Sequence, residues 1–510
     1  MDGVAQTMGF WSVLPPLIAI GLALWTRQVF LALAVGIWFG YLILSGGHPL
    51  TGTLETLNAF VTVLTDTGNA RLIIFTIIIG PLIALVQRSG GVEGFVAGIL
   101  RFLTKVGNKQ ADKGNRRIVE SIAALTGIAL FIESNISLFT VGTLYRPIFD
   151  KLKIPREKLA YIADSTSAPT NILMPFNAWG AYIMGLLFVV GYSEPFPVLV
   201  KSIAYNFYPM LTILLVFFVI WSGKDWGDMK KAEVRAAKTG KILRDGAIPM
   251  MDDSVSMLEA KDSIPHRAFN MYIPIATMVF LMPTFLIYTG WSKAVNKAAE
   301  IARQTGGEPI AGIKLYWSAL SSGSGSAAVL YSASFAILTA MVLYRAQGIM
   351  KITEMVELSL KAMAGMMNVA LLAVLAFALN ALCRDLGTGL YMADVASGFI
   401  TPALVPAIVF VIAGIIGFST GTSWGTFAIM IAVAVPLAQN MGVNPHMAIA
   451  AALGGGVFGD HCSPTSDTTI IASMATANDH IDHVRTQIPY ALIAGAGTVL
   501  MYVVLGFMGV

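Results

Sequence analysis

Charged residues and cysteines are scarce in this 510-residue chain, and both shortages exclude whole classes of protein. Asp, Glu, Lys and Arg make up 12% of the residues, against roughly 25% in a typical soluble domain. Cysteine occurs only at Cys383 and Cys462, so the sequence predicts no disulfide framework. The net charge of +4 is small and gives no indication of nucleic-acid binding. Zinc-protease and phosphate-loop motifs are also lacking, and we expect no cofactor.

Apolar sequence is abundant instead. Hydrophobic residues make up 56% of the chain, and its mean hydropathy is +0.72. Repeated apolar runs of about 20 residues are each long enough to cross a lipid bilayer. The composition therefore predicts an all-α polytopic membrane protein. No Lys or Arg precedes the first apolar run, residues 9–25, so we expect no cleavable signal peptide.

The basic residues between the apolar runs predict the topology, because Lys and Arg are enriched in cytoplasmic loops. Arg27 separates residues 9–25 from 28–45, which puts the N-terminus outside, and a third span at 71–88 returns to the cytoplasm. Positive charges then flank residues 118–145 on both sides. A segment with two cytoplasmic ends cannot be a single crossing, so we predict a re-entrant hairpin at 118–145. The flanking residues are Arg101, Lys105, Lys109, Lys113, Arg116 and Arg117 before it, and Arg146, Lys151, Lys153, Arg156 and Lys158 after it.

The rest of the chain repeats this plan in the opposite orientation. We predict a first repeat over residues 1–222, a cytoplasmic linker at 223–270 whose hydrophilic loop (223–267) is solvated, and a second repeat at 271–510. Inverted repeats with hairpins and broken helices are typical of secondary transporters. The expected architecture has about ten spans and two opposed hairpins. Its remaining elements are a broken helix at 159–190, spans at 202–222, 271–290, 318–344 and 362–382, an external hairpin at 404–440, a broken helix at 447–477 and a last span at 488–508.

One polar motif stands out within the apolar sequence, at residues 454–469. It places Asp460 and Asp467 among glycines, hydroxyls and Pro464 at membrane depth. Hydrocarbon tolerates such residues only where protein or water surrounds them, which predicts a discontinuous helix at a binding site. A tight helix crossing is the alternative for the small residues, but packing alone does not require the two acids.

Oxygen-bearing side chains at the hairpin tips and helix breaks are our candidate ligands for Na+ and substrate, because Na+ prefers several oxygen ligands. They are Glu133, Ser134, Asn135, Asp164, Ser165, Thr166, Thr170, Asn171, Thr420, Thr422, Ser423, Asp460, Ser463, Thr465, Ser466 and Asp467.

Proton coupling needs a group that binds a proton and Na+ competitively, and the candidates are Asp460, Asp467, His461 and Glu133. His461 has an alternative role as a packed histidine bonded to a carboxylate, and Asp164 as a helix cap. Trp179 and Trp424 are expected to be packing or interface aromatics.

Long segments around these candidates resemble the NhaC family of sodium/proton antiporters within the ion transporter superfamily. They are residues 418–426 and 459–469 in the second half, and 141–148 and 156–169 in the first. The resemblance implies Na+/H+ antiport by an elevator-type mechanism in the cell inner membrane, on a homodimeric scaffold. The apolar spans near 28–45 and 318–344 are our candidates for the dimer contact.

One departure keeps the transported solute open. Many family members carry two adjacent acids at the first tip, whereas Ser134 follows Glu133 here. The pair Ser134-Asn135 resembles tip motifs of carboxylate transporters in the same superfamily, which favours coupled transport of a small organic or amino acid. A channel and an intramembrane enzyme are further alternatives. Paired repeats favour alternating access over a channel, and Pro464 between Asp460 and Asp467 argues against a helical acid pair, so we predict no enzyme.

Overall fold

The structure is a computed structural model. It describes residues 8–26, 28–95, 97–98, 113–131, 133–249, 264–305, 311–388, 391, 394–395 and 401–509. Over these residues the fold is helical, and the extended backbone amounts to one isolated bridge between Pro249 and Asp479. Arg101, Lys105 and Lys109, which support the first predicted cytoplasmic loop, lie outside the described residues.

In the described part of the first half, ten helices have defined bounds, after a 3-10 turn at Gly9–Val13. They are α1 Leu14–Thr26, α2 Val29–Leu44, α3 Pro49–Thr65, α4 Thr67–Arg88, α5 Lys113–Ala129, α6 Ser134–Lys151, α7 Arg156–Leu173, α8 Ala178–Val189, α9 Pro195–Ile203 and α10 Phe207–Ser222.

A linker helix and the second half complete the described chain, with a 3-10 turn at Pro402–Leu404. The helices are α11 Gly227–Thr239, α12 Phe269–Thr305, α13 Ile313–Ser321, α14 Gly325–Ala346, α15 Ile352–Asp385, α16 Val405–Thr420, α17 Ser423–Asn440, α18 Pro445–Cys462, α19 Asp467–Ala475 and α20 His480–Phe507.

Membrane-spanning length is the property that the sequence predicts most directly. Among the described residues, eight helices are long and apolar enough to cross a bilayer, or nine if the bent pair α7 and α8 counts as one span. Two shorter apolar helices, Gly9–Leu22 and Phe30–Leu44, correspond to the first two predicted spans. The predicted all-α multi-pass fold is confirmed, with eight or nine spans by these criteria where about ten are expected. The amphipathic helix α3 was not expected, because Glu55 and its polar neighbours interrupt the apolar run.

Two helix pairs occupy the places of the predicted hairpins. In the first half α5 and α6 are separated by residues 130–133, and in the second half α16 and α17 are separated by Gly421 and Thr422. Both ends of the first pair lie beside the linker: Arg116 on α5 contacts Glu233, and Arg156, just after α6, donates its backbone N–H to Ile242. This arrangement agrees with a hairpin, whose re-entrant course through a bilayer stays a prediction.

The first helix break lies later in the chain than the sequence indicates. The polar motif at 164–171 predicts a break near Ala168, but α7 continues through Pro169 to Leu173 and bends by 44° into α8. Met174 ends the helix with extended backbone angles (φ −107°, ψ 114°). Pro175 follows it, and a residue before proline is disfavoured from the helical region, which explains the position of the break. The second break, at residues 463–466, falls at Pro464 as expected.

The core is built around these broken helices. Nearly every side chain of α7 and of α18 is buried. Large exposed apolar side chains such as Phe280 and Val342 lie instead on α12 and α14. Between these regions α4 packs closely on α15, because Gly80 has no side chain: a Cβ there would lie 2.6 Å from the carbonyl oxygen of Ala362.

The linker is packed against the helical bundle, whereas the sequence predicts a solvated segment. Met229, Ala232 and Ala236 on α11 are buried. Asp225 forms a 2.6 Å ion pair with Lys158 at the start of α7, and both side chains are largely buried. The charged residues that suggest solvation are thus partly used in pairing with helix ends.

The same linker also reaches α20 in the second half. Arg244 pairs with Asp482 at 2.9 Å, and the Ile248 backbone donates to Asp479 at 2.8 Å. The linker therefore contacts helices of both halves. The start of α7 and the start of α20 lie on the same side of the molecule.

Candidate functional site

Each hairpin tip is bound to the break of the broken helix in its own half. The Asn177 amide donates to the backbone carbonyl of Phe131 at 2.9 Å, and the Ser463 hydroxyl donates to the carbonyl of Phe418 at 2.6 Å. Phe131 and Phe418 are the residues that precede the two predicted tips. The same kind of bond thus occurs at matching places in the two halves.

Glycine makes the second junction possible. Gly421 ends α16 in a left-handed conformation (φ +64°), and a Cβ there would lie 2.5 Å from the carbonyl oxygen of Thr465. Glycine adopts this conformation at little cost and leaves room for the neighbouring backbone. The tip can therefore rest directly on the helix break.

A cavity of about 190 Å³ lies where these elements meet the scaffold helices α4 and α15. Six of the predicted ligands line it, from the first tip, the second tip and the second break: Glu133, Ser134, Asn135, Thr422, Asp460 and Asp467. The sequence thus predicts three of the elements that line the cavity, namely the two hairpin tips and the second helix break. Scaffold residues that it does not single out, among them Thr76 and Asn368, complete the lining.

Asp460 is the most enclosed acid of this cavity, with 2% of its surface exposed. Its Oδ2 accepts a hydrogen bond of 2.6 Å from the Ser423 hydroxyl, and within the described part of the chain its Oδ1 has no hydrogen-bond partner. A buried carboxylate oxygen without a donor is costly unless a proton or cation binds it. Asp467, the first residue of α19, is exposed to the cavity.

Aromatic rings form another part of the wall. Trp179 and Trp424 both line the cavity, with ring centroids 5.3 Å apart. The Tyr182 hydroxyl donates to the Trp424 carbonyl at 3.2 Å, and its ring centroid lies 5.0 Å from that of Trp424. The expected packing contacts exist: Trp179 is almost fully buried, and the partly exposed indole of Trp424 lies between it and the cavity space.

Two further cavities lie along the same helix pair. One of about 640 Å³ lies toward Arg88, the end of α4, and the other, of about 540 Å³, lies toward Asp66, which precedes α4. Ile83 and Met366 line both the first of these and the central cavity. These two side chains therefore lie between the central cavity and the space at the Arg88 end.

Packed side chains separate the central cavity from the other end. Leu72 and Phe377 are almost fully buried, and they approach α8 at Gly185. A Cβ on Gly185 would lie 2.5 Å from Phe377 Cζ and 2.8 Å from Leu72 Cδ1. We call Leu72, Phe377 and Gly185 the closing layer.

Asp164 belongs to a second polar cluster, away from the cavity lining. Its Oδ2 accepts a 2.6 Å hydrogen bond from the Gln487 amide and lies 3.4 Å from His483 Nε2 and 3.8 Å from His461 Nε2. The Tyr208 hydroxyl lies 2.8 Å from the other ring nitrogen of His461. These side chains lie at Oδ2, and Oδ1 of Asp164 is buried without a hydrogen-bond partner among the described residues. Asp164 is therefore not a simple helix cap, and His461 has the bonded, packed environment that we gave as its alternative.

The remaining predicted ligands are structural in this arrangement or border the cavity. Ser423 bonds Asp460, Ser165 lies 3.2 Å from His461, and Asn171 can bridge Phe131 and Ser134 when its amide is oriented to satisfy both. The others bond their own helix or break, or are buried away from the cavity lining: Thr166, Thr170, Thr420, Ser463, Thr465 and Ser466.

His483, Gln487 and Tyr208 were not predicted. The last span was expected to begin at residue 488, whereas α20 begins at His480 and carries His483 and Gln487 into the core. The sequence feature that could have revealed them is the run of polar residues just before the last apolar stretch. Such a run indicates a loop as readily as the buried start of a helix.

Comparison with known proteins adds three similarities. The sequence profile of the Na+/H+ antiporter family matches residues 188–507. A Haemophilus influenzae protein without an assigned function is 31% identical over 99% of this chain and 93% of its own. The arginine/ornithine antiporter ArcD of Halobacterium salinarum is 38% identical over 74 residues, 14% of this chain and 15% of that protein.

One solved structure shares the overall architecture. The crystal structure of the Alcanivorax borkumensis YdaH transporter aligns with a TM-score of 0.58, covering 94% of this chain and 98% of that one. Only 14% of the aligned residues are identical, so the likeness concerns the fold.

Proposed function

This chain belongs to the Na+/H+ antiporter family, and on that premise we propose that it exchanges Na+ for protons at the central cavity. The chain is a multi-pass secondary transporter, and the exchanged ions are the proposal. The observation that carries it is the position of Asp460 and Asp467 on one enclosed cavity between the two hairpin tips. An enzyme is not supported, since the matching family is one of antiporters.

The chemistry of exchange follows from competition at the two acids. A proton and a cation cannot both fully neutralise the same carboxylate, so binding of one displaces the other. Asp460 Oδ1 is available for either, while Ser423 holds Oδ2. Hydroxyl and amide oxygens of Ser134, Asn135 and Thr422 on the same wall suit a hard cation such as Na+.

Alternating access is supported by the three cavities along α4 and α15. The central cavity shares the side chains of Ile83 and Met366 with the cavity at the Arg88 end, whereas the closing layer lies on its Asp66 side. By the loop charges the Arg88 end is cytoplasmic, so the structure would represent an inward-facing state, with the N-terminus outside.

An elevator motion fits the same contacts. The hairpins and broken helices, α5–α8 and α16–α19, would move together against α4 and α15, because the tip-to-break hydrogen bonds tie each hairpin to its broken helix. The closing layer lies on the sliding surface between α8 and these scaffold helices. We further propose a homodimer in the cell inner membrane, formed by exposed apolar scaffold surfaces such as that of α14.

Purified protein in liposomes containing a pH-sensitive dye tests the ion assignment. An inward Na+ gradient should drive proton efflux in the wild type and none in Asp460→Asn. The matched control is Asp245→Asn, an exposed linker acid, which should exchange as the wild type does. A wild-type rate in Asp460→Asn would reject the cavity as the exchange site.

A further inference from the structure

The central cavity is much larger than one dehydrated Na+ requires. A cavity of about 150 Å³ engineered in another protein binds benzene, so about 190 Å³ accommodates a solute of roughly six non-hydrogen atoms. Its walls are also unlike a bare ion site, because two indoles contribute to them. Size and lining together indicate an organic solute.

The charge of the lining selects among organic solutes. Glu133, Asp460 and Asp467 line the cavity, and none of its described lining residues is Lys, Arg or His. Four helices, α6, α8, α17 and α19, begin at the cavity, and each N-terminus contributes about half a positive charge. These partial charges lie beside three acidic side chains, and the described lining holds no basic one, so the cavity favours a cation over an anion.

Two further observations indicate where an ammonium group would bind. The first concerns Asp460 itself, whose buried Oδ1 has no hydrogen-bond partner among the described residues. The second is aromatic: the partly exposed indole of Trp424 lines the same cavity and packs against the buried ring of Trp179. Carboxylates together with indole faces are the usual environment for organic ammonium ions, whereas Na+ gains its binding energy from oxygen ligands.

We propose that the central cavity accepts a small organic ammonium ion as an alternative cargo, bound by the carboxylates and by the indole of Trp424. This inference rests on the proposed cation/proton exchange at the same acids and adds a class of substrate to it. The ammonium ion would compete with Na+ for Asp460 and Asp467, and protons would leave in exchange. No bond is made or broken beyond proton transfer.

Three solutes with equal numbers of non-hydrogen atoms test the charge preference: 1,4-diaminobutane as cation, L-alanine as zwitterion and L-lactate as anion. Acid-loaded liposomes containing the protein should take up radiolabelled 1,4-diaminobutane with concomitant proton efflux, above the level of protein-free liposomes. The diamine should also inhibit the Na+-driven proton signal competitively. We expect less uptake of L-alanine and none of L-lactate.

The outcomes separate this inference from the proposed function. A Na+-driven proton signal with neither uptake of the diamine nor competition by it overturns the inference and leaves Na+/H+ exchange intact. Uptake of L-lactate or L-alanine in place of the diamine also overturns it. Failure of both Na+ and the diamine to move protons rejects the proposed function, and the inference with it.

Aromatic substitutions test the binding mode. Trp424→Leu should weaken diamine affinity by roughly 2- to 30-fold, the range of a cation–π contact, while Trp424→Phe should retain part of it. Trp291→Leu is the control, because Trp291 pairs with Tyr316 away from the cavity lining. Affinity is measured as the diamine concentration that half-inhibits Na+-driven exchange, on variants that elute as the wild type. Unchanged affinity in Trp424→Leu would overturn the ammonium assignment.

Discussion

The hydroxyl of Ser423, at the start of α17, donates a 2.6 Å hydrogen bond to the carboxylate of Asp460, near the end of α18. The bond crosses from the second hairpin to the second broken helix. It fixes one oxygen of the acid, while the other is buried and has no hydrogen-bond partner among the described residues. The contact therefore links the geometry of the tip to the chemistry of exchange.

Removal of this donor should weaken cation binding. A hydrogen bond to a charged group contributes about 1.5–3 kcal/mol, so Ser423→Ala should raise the Na+ concentration for half-maximal exchange roughly 10- to 100-fold. Ser332→Ala is the matched control, because Ser332 is equally buried but bonds only its own helix, at Val329. A half-saturating Na+ concentration equal to that of the control would show that Ser423 does not position Asp460.

The junction between tip and break should tolerate no side chain at Gly421. Gly421→Ala combines a left-handed backbone with a collision at Thr465, whereas Gly442→Ala has the same backbone strain (φ +68°) and open space around it. Left-handed backbone alone costs about 1–2 kcal/mol. We expect a larger fall in thermal stability and in exchange for Gly421→Ala than for Gly442→Ala. Equal effects would mean that the contact at Thr465 is unimportant.

Movement of α8 past Leu72 and Phe377 should depend on the small size of Gly185. Gly185→Leu should slow exchange strongly, because its side chain would collide with Phe377 and Leu72. Gly21→Leu, on a helix surface with open space, is the control.

A cross-link tests the same motion directly. In the double variant Gly185→Cys/Phe377→Cys, a short reducible thiol cross-linker should arrest exchange and reduction should restore it. The native Cys383 and Cys462 are buried and leave the background unreactive. Full exchange by the cross-linked protein would contradict the elevator.

The linker contact at Asp479 should depend on pH. Burial opposes ionisation there, but the backbone N–H groups of Ile248, Asp482 and Ile481 outweigh it and hold the pKa of Asp479 below its usual value. A depressed native pKa gives stabilisation that is present above about pH 4 and is lost as the pH falls through the lower native value. The protection of the Ile248 amide, measured as its hydrogen-exchange rate relative to the intrinsic rate of an unprotected amide at the same pH, should therefore fall at low pH.

The variant Asp479→Ala provides the comparison. At neutral pH its Ile248 amide should show the low protection that the wild type reaches only in acid, and the protection of the two proteins should converge at low pH. Asp245→Ala is the control, since Asp245 pairs with Lys241 on the exposed linker surface. Wild-type protection in Asp479→Ala at neutral pH would mean that other contacts hold the linker.

The elements that form the cavity are predictable from the sequence because their signals are local. An acid beside glycines and Pro464 at membrane depth indicates a helix break at a polar site, and the second break lies at that proline. The first break was misplaced because Pro169 fits within α7 and Pro175 ends it, a choice that depends on tertiary contacts. Polar residues in a motif do not show which face of the helix they occupy. Asp164 and Asp460 therefore looked alike in sequence, although they lie in different clusters.

Long-range pairing explains the other misses. The partners of Asp164, His483 and Gln487, are more than 300 residues away in the chain. From the sequence, the charges of the linker indicate a solvated segment, because the pairing of Asp225 with Lys158 is visible only in the structure.

Simultaneous measurement of ²²Na⁺ uptake and proton efflux in the same proteoliposomes shows whether Na+ and protons exchange at the central cavity. We expect the two fluxes to rise together, to saturate with Na+, to keep a constant ratio and to vanish in Asp460→Asn. Uptake of ²²Na⁺ without proton efflux, or a flux ratio that varies with the Na+ concentration, would contradict coupled exchange at the central cavity.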